Sequence, residues 1–143
     1  MKKLAIISVL LIISLNIFAQ KSNDTIISNN PQNLKLKVLY FHITNRCNTC
    51  ISIEKYVRQT IDSNFANQLE LGIIDLYVTN CDLPENQELV KKYEAYGATL
   101  AITPYINGKE GKSEDLSNWA FQKVHKPEVF MEELKSKINE SIK

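Results

Sequence analysis

The chain has 143 residues, with 17 basic and 16 acidic side chains and a formal net charge of +1. This length is that of one ordinary domain, and we expect a monomer. Because charges are nearly balanced, the sequence offers no basic patch of the kind that binds nucleic acids or anionic membranes. We therefore expect no nucleic-acid partner.

Residues 1–19 have the composition of a secretory signal peptide. Two lysines precede an uncharged apolar run at residues 4–15, and Ala19 is a small residue before a possible cleavage point. The run is shorter than the roughly 20 residues that a membrane span needs, and Asn16 interrupts it, so a retained anchor is the weaker interpretation. We expect an exported protein, periplasmic or associated with the cell envelope, whose mature chain starts at Gln20.

The mature chain is predicted to begin with a flexible linker at residues 20–33. This segment is polar, rich in Asn and Ser, and interrupted by Pro31, so it can bury little apolar surface. A regular apolar pattern begins at Leu34. The predicted folded domain therefore spans residues 34–143.

The first half of this domain reads as strand, helix, strand, helix. The stretch "LKLKVLYFHI" alternates and then becomes continuously apolar, which predicts a strand covered on both faces. An apolar stripe at helical spacing follows and predicts a helix that ends near Asn64. "LGIIDLYVTN" predicts a second strand. "PENQELVKKYEAYG" predicts a second helix, with Pro84 near its start and Gly97 at its end.

The second half of the domain begins with a predicted β-hairpin. Asn107-Gly108 is a strong hairpin signal, and Pro104, which has no amide hydrogen, favours an edge or a bulge. A short helix is predicted at residues 118–124, and Pro127 opens a last helix. The residues expected on its inner side are Val129, Phe130, Leu134, Ile138 and Ile142. The order β-α-β-α-β-β-α predicts an α/β fold with a central mixed sheet flanked by helices.

Three cysteines remain in the mature chain, and outside the cytosol thiols commonly form disulfides. Cys47 and Cys50 lie where a strand ends and a helix begins, whereas Cys81 is remote. The positive end of the helix dipole and the charge of Arg46 would favour a Cys47 thiolate. Cys50, one helical turn further on, can close a disulfide with it. We predict a redox pair in which Cys47 is the nucleophile and Cys50 the resolving thiol.

Two other interpretations of the pair stay open. A structural disulfide is one, although a ring that spans so few residues removes little unfolded-state entropy. A copper or zinc site formed by His42, Cys47 and Cys50 is the other, and only Cys81 or His125 could complete its shell. Cys81 itself is either a third redox thiol or, as the sequence favours, a free and partly buried residue. We expect no bound metal and no cofactor.

The chain resembles the thioredoxin superfamily over about residues 36–142. "VLYFHITNRCNTC" stands where thioredoxins carry strand, loop and CxxC, and "NQELVKKYEAYG" is similar to their second helix. "YFHITNRCNTC", "KKYEAYG" and "DLSNWAFQKVHKPEVFMEELKSKI" resemble small exported bacterial proteins grouped as a nitrophenyl-compound nitroreductase subunit family. The resemblance implies a thioredoxin-like fold and a thiol–disulfide oxidoreductase or electron-transfer protein. Its partners would be protein disulfides or dithiols, including a membrane electron donor or a reductase subunit.

The sequence departs from thioredoxins at two positions. Thioredoxins place a cis-proline opposite the disulfide, whereas this chain has Thr99 as the expected occupant of that position. Thioredoxins also bury an acid near the end of the first strand, and residues 38–41 contain none, so proton transfer falls to water or to another group such as His42. A non-catalytic thioredoxin-like binding or metal-handling subunit therefore remains the alternative to an oxidoreductase.

Overall fold

The computed structural model describes residues 25–26 and 31–143, which contain a mixed β-sheet and five α-helices. The strands are β1 (Thr25–Ile26), β2 (Leu36–His42), β3 (Ile74–Asn80), β4 (Thr99–Ile106), β5 (Lys109–Glu110) and β6 (Glu114–Asp115). The helices are α1 (Asn48–Asn64), α2 (Ala66–Glu70), α3 (Gln87–Tyr93), α4 (Ser117–Lys123) and α5 (Pro127–Ser141), with 3-10 turns at Pro31–Asn33 and Pro84–Asn86. The predicted signal peptide and Gln20 lie outside the described residues.

The strand order is β1-β3-β2-β4-β5, and β6 also pairs with β4. β2 runs parallel to β3, with His42 opposite Asn80, and antiparallel to β4, with Phe41 opposite Thr99. The ends of β2 and β3 and the start of β4 therefore lie at one edge of the sheet, which we call the carboxyl edge. The CxxC segment follows β2 and so lies at this edge.

Alternation along β2 sends its side chains into two separate cores. Tyr40 joins the larger core, formed with helices α1 and α5, and Phe41 joins the smaller one, formed with α3. Apolar residues at helical spacing supply the other side of the larger core. The fully buried ones are Ile53, Val57 and Ile61 of α1 and Phe130, Leu134 and Ile138 of α5. We call the two sides of the sheet the α1 face and the α3 face.

The predicted mixed α/β fold is confirmed, and its arrangement is thioredoxin-like. Helix α1 ends at Asn64 as predicted. The hairpin also forms where predicted, with Asn107 at φ 54° and Gly108 at φ 72°, the left-handed conformations that such a two-residue turn requires. Pro104 lies between the parts of β4 that pair with β5 and β6, so its missing amide hydrogen leaves no ladder bond unmade there.

Three details differ from the prediction. Helix α3 ends at Tyr93 and not at Gly97, because Glu94 already adopts a left-handed conformation with φ 51°. Val129 was predicted on the inner side of α5 but is 39% exposed, because the buried stripe begins one residue later at Phe130. The predicted linker includes Thr25–Ile26, which pairs antiparallel with β3.

Helix α2 and strand β6 were not predicted. Each is too short to show a repeating pattern of apolar residues. Within the part of the chain that the structure describes, no helix is long and apolar enough to span a membrane.

Candidate redox site

The loop that leads from β2 into helix α1 is fastened to the end of β3. The Thr44 amide donates a hydrogen bond of 2.7 Å to Asp82, and the Asn80 side-chain amide donates one of 3.1 Å to the Thr44 hydroxyl. The Cys81 amide donates to the His42 carbonyl at 2.7 Å. Hydrogen bonds from Thr44 lower the pKa of Asp82. These bonds set where the chain enters α1 and thereby position Cys47.

Cys47 and Cys50 form a disulfide, with their Cα atoms 5.1 Å apart. The predicted pairing is confirmed. Cys47 is the N-cap residue of α1, and its sulfur accepts a hydrogen bond of 3.1 Å from the Cys50 amide. A side-chain acceptor at this position satisfies one of the free amide groups of the first helical turn.

The two cysteines differ in exposure. Cys47 is exposed, whereas Cys50 is half-buried. When the disulfide is reduced, a thiolate at Cys47 faces the positive end of a 17-residue helix and the Cys50 amide. The exposed sulfur is thus also the one whose anion the backbone stabilises, which is the arrangement of an attacking thiol.

Arg46 lies beside Cys47, but its charge is shared with the helix. Its guanidinium forms an ion pair with Glu54, which also accepts a hydrogen bond of 2.7 Å from Arg58. Burial alone would raise the pKa of Glu54, yet hydrogen bonds from Arg58 and Arg46 lower it below its ordinary value. The Arg46 Nε is buried and has no hydrogen-bond partner. Arg46 therefore links the loop to α1, and the positive charge that the sequence analysis placed beside Cys47 is shared with the Glu54 carboxylate.

Tyr40 is a site residue that the sequence analysis missed. Its ring is 1% exposed, and its hydroxyl donates a hydrogen bond of 2.7 Å to the Cys50 carbonyl. Burial raises the pKa of Tyr40 to about 12, with the nearby Arg46 acting in the opposite direction. The hydroxyl is thus protonated, and able to donate, throughout the physiological pH range. Its place on the α1 face could have been read from the alternation of β2, but the contact with Cys50 could not.

His42 ends β2 on the α1 face. Its ring stacks near Tyr40 with centroids 6.5 Å apart, and its Nδ1 lies 3.0 Å from the Ile43 carbonyl. Because a carbonyl can only accept, Nδ1 carries the hydrogen, and in the neutral ring Nε2 is left as the acceptor. His42 therefore lies on the α1 face of the sheet, with Nε2 as the acceptor of its neutral ring.

Thr99 starts β4 at the carboxyl edge, but its side chain lies on the other face of the sheet. Its neighbour Leu100 points into the larger core, so Thr99 points to the α3 face. There it lines a shallow cavity together with Tyr93 and Glu94. No peptide bond among the described residues is cis. The structure thus brings Thr99 to the edge of the site without turning its side chain toward α1.

Cys81 is free and buried, as the sequence analysis favoured. Its sulfur donates a hydrogen bond of 2.9 Å to the Ala95 carbonyl in the smaller core. Burial and the nearby Asp82 raise the pKa of this thiol. It is therefore held as a neutral thiol on the α3 face.

The copper or zinc site considered from the sequence would need at least three ligands placed close together. Among residues 25–26 and 31–143, no group of three or more His, Cys, Asp or Glu side chains is placed to hold a metal ion. His125 lies exposed between α4 and α5.

No protein-family model matches the chain, and a search of the curated proteins finds no significant match. Function is therefore argued from the geometry of the site.

Proposed function

We propose that this protein is a thioredoxin-like thiol–disulfide exchange or electron-transfer protein. The observation that supports this most strongly is the exposed Cys47 sulfur, which caps the start of α1, accepts the Cys50 amide and is paired with Cys50. A disulfide buried only to strengthen the fold would need neither the exposure nor the amide donor. The proposal includes kinship with the thioredoxin superfamily and with the small exported proteins that the sequence resembles.

The exchange proceeds in two displacements. In the reduced protein, the Cys47 thiolate attacks one sulfur of a partner disulfide, forming a mixed disulfide and releasing the other partner sulfur as a thiolate. Cys50 then loses its proton to water or to His42 and attacks the Cys47 sulfur. The Cys47–Cys50 disulfide forms, and the second partner sulfur leaves. Two electrons pass to the partner, and the reverse sequence oxidises a partner dithiol.

Exposed apolar side chains at the carboxyl edge suit a protein partner. Ile43, Ile51, Leu83 and Tyr96 are 38%, 48%, 41% and 71% exposed, and they come from four segments that meet at this edge. Large apolar side chains clustered around a reactive group are typical of an interaction surface. We propose that the partner is a protein disulfide or dithiol, including a membrane electron donor or a reductase subunit.

We further propose that the protein acts outside the cytoplasm as a monomer. The support for export is the leader-like composition of residues 1–19 and the use of a CxxC disulfide, which oxidising compartments favour. The test is N-terminal sequencing of protein recovered from the cell envelope, where we expect Gln20 as the first residue. An intact Met1 terminus would contradict export with cleavage.

The function is tested by trapping the partner. Cys50→Ser, expressed with the natural leader, is expected to accumulate a mixed disulfide through Cys47, because the resolving thiol is gone. The matched control is the double variant Cys47→Ser, Cys50→Ser, which keeps the same surface without the nucleophile. An adduct that is reducible and absent from the control supports the proposal.

The alternative is a non-catalytic binding or metal-handling subunit. If the trapping variant gives no adduct, and purified wild type retains stoichiometric copper or zinc that Cys47→Ser loses, the metal-handling function replaces the redox one.

A further inference from the structure

The buried hydroxyl of Tyr40 forms a hydrogen bond with the backbone of the cysteine pair, on the side away from solvent. It donates to the Cys50 carbonyl at 2.7 Å, and the ring is held in the larger core with 1% of its surface exposed. Cys50 lies within α1, so this hydrogen bond is additional to the backbone hydrogen bonds of the helix. The contact joins β2 directly to the first turn of the helix.

A second hydrogen bond shares a peptide group with the first and leads to Cys47. The peptide that contributes the Cys50 carbonyl also contributes the Ile51 amide, and this amide donates to the Cys47 carbonyl at 3.0 Å. Hydrogen bonds in such a chain polarise and strengthen one another. Tyr40 is thus connected to the backbone of both cysteines without touching either sulfur.

Arg46 fixes the other side of the same turn. Its guanidinium lies 6.0 Å from the centre of the Tyr40 ring and forms the ion pair with Glu54. The residue before Cys47 and the carbonyl of Cys50 are therefore both held against the Tyr40 side chain. The two Cα atoms of this turn lie 5.1 Å apart, within the range that a disulfide requires.

We propose that Tyr40 is a positioning residue that favours the oxidised state of the Cys47–Cys50 pair. When the disulfide is reduced, the two sulfurs must separate to non-bonded contact through rotation of the side chains and movement of the Cys47–Cys50 turn, and the contacts of Tyr40 and Arg46 oppose the movement of the turn. Tyr40 therefore stabilises the disulfide relative to the dithiol, an effect that needs a different interaction in the two states. This inference rests on the proposed thiol–disulfide function and names the residue that sets its redox balance.

The test is the equilibrium of the full-length mature protein with reduced and oxidised glutathione. Tyr40→Phe keeps the ring and removes only the hydroxyl. We expect the variant to be less oxidised at a fixed glutathione ratio by up to about fivefold, the net effect of one hydrogen bond that the disulfide state makes and the dithiol state lacks. This corresponds to a reduction potential up to about 20 mV less negative, at 29.6 mV for each tenfold change.

The matched control is Tyr93→Phe. Tyr93 also donates or accepts through its hydroxyl, 3.1 Å from Thr103, but it lies on the α3 face. Tyr93→Phe loses the hydroxyl contacts with Thr103 and Glu110, and Tyr40→Phe loses the one with Cys50. Both variants should lose some thermal stability, and only Tyr40→Phe is expected to shift the glutathione equilibrium. If both variants equilibrate like wild type, or both shift equally, the positioning role of Tyr40 is overturned.

A second variant covers the case in which Tyr40→Phe does not fold. Site-specific incorporation of 3-fluorotyrosine at position 40 keeps the hydroxyl and makes it a stronger donor, so the equilibrium is expected to move toward the disulfide. A shift toward the dithiol, or none, contradicts the inference. If wild type itself fails to equilibrate with glutathione, the proposed function falls and the inference falls with it.

Discussion

Cys47 and Cys81 show how differently one sheet edge can treat two thiols. Both follow a strand that ends at the carboxyl edge, Cys47 after β2 and Cys81 directly after β3. Cys47 is exposed and caps a long helix, whereas Cys81 is 6% exposed and donates its hydrogen to the Ala95 carbonyl. A position at the end of a parallel strand therefore does not by itself make a cysteine reactive.

The two thiols differ because a helix begins directly after Cys47 but not directly after Cys81. Helix α1 starts directly after Cys47, so the free amide groups of its first turn meet the sulfur. After Cys81 the chain first makes the 3-10 turn Pro84–Asn86, and the side chain of Gln87, at the start of α3, donates to the Cys81 carbonyl at 2.7 Å. The Cys81 sulfur meets a carbonyl oxygen instead, which favours the thiol over the thiolate.

The largest expected effect is on thiol reactivity. In the reduced native protein we expect iodoacetamide to modify Cys47 roughly 100-fold faster than Cys81, because thiolate and exposure both favour Cys47. Cys50, which is half-buried, should react more slowly than Cys47. The rates are measured by mass spectrometry of peptides after timed quenching.

The same labelling in 6 M guanidinium chloride is the control, because unfolding removes the helix and the burial together. There the three thiols should react at similar rates. Faster labelling of Cys50 than of Cys47 in the native protein would reverse their assigned roles.

The sequence predicted the cysteine pair well because its chemistry is local. The CxxC spacing, the apolar strand before it and the helical period after it lie within one continuous stretch, and together they place Cys47 at a helix start. The strand and helix order followed for the same reason. Short elements such as β6 and α2 escaped, because their residues are specified by their neighbours in the fold and not by a period of their own.

The supports of the site could not be predicted, since each depends on how two segments pack together and not on a pattern within one of them. Thr44 is held by Asp82, 38 residues away, and Arg46 turns toward Glu54 instead of standing free beside Cys47. Tyr40 looked like an ordinary core residue, and only the packing of α1 on β2 brings its hydroxyl to Cys50. Local pattern thus located the cysteine pair, and tertiary packing determined what surrounds it.

A smaller effect is expected from removing the Cys81 thiol. Cys81→Ala deletes a buried sulfur and its hydrogen bond, so the free energy of unfolding should fall by roughly 1–2 kcal/mol. The glutathione equilibrium of the Cys47–Cys50 pair should stay as in wild type, because Cys81 belongs to the α3 face. Urea unfolding of the oxidised protein measures the first quantity, and equilibration with reduced and oxidised glutathione measures the second. A threefold change in that equilibrium would make Cys81 part of the redox site.

The smallest effect concerns the ion pairs of Glu54, which lie near Cys47 and not in the core around Cys81. Because the folded-state pKa of Glu54 lies below its ordinary value of about 4.3, its ion pairs add stability above that pH, and this is lost as pH falls through the folded pKa. We expect Glu54→Gln to lower the free energy of unfolding by roughly 0.5 kcal/mol at pH 7, since the pair is partly solvated. The loss should shrink as the pH is lowered from 7 toward 3, because protonation of wild type removes the same charge. Urea unfolding at both pH values measures it, with Glu132→Gln, at the more exposed pair with Lys135, as the control. An equal loss at both pH values would mean that Glu54 acts through packing and not through charge.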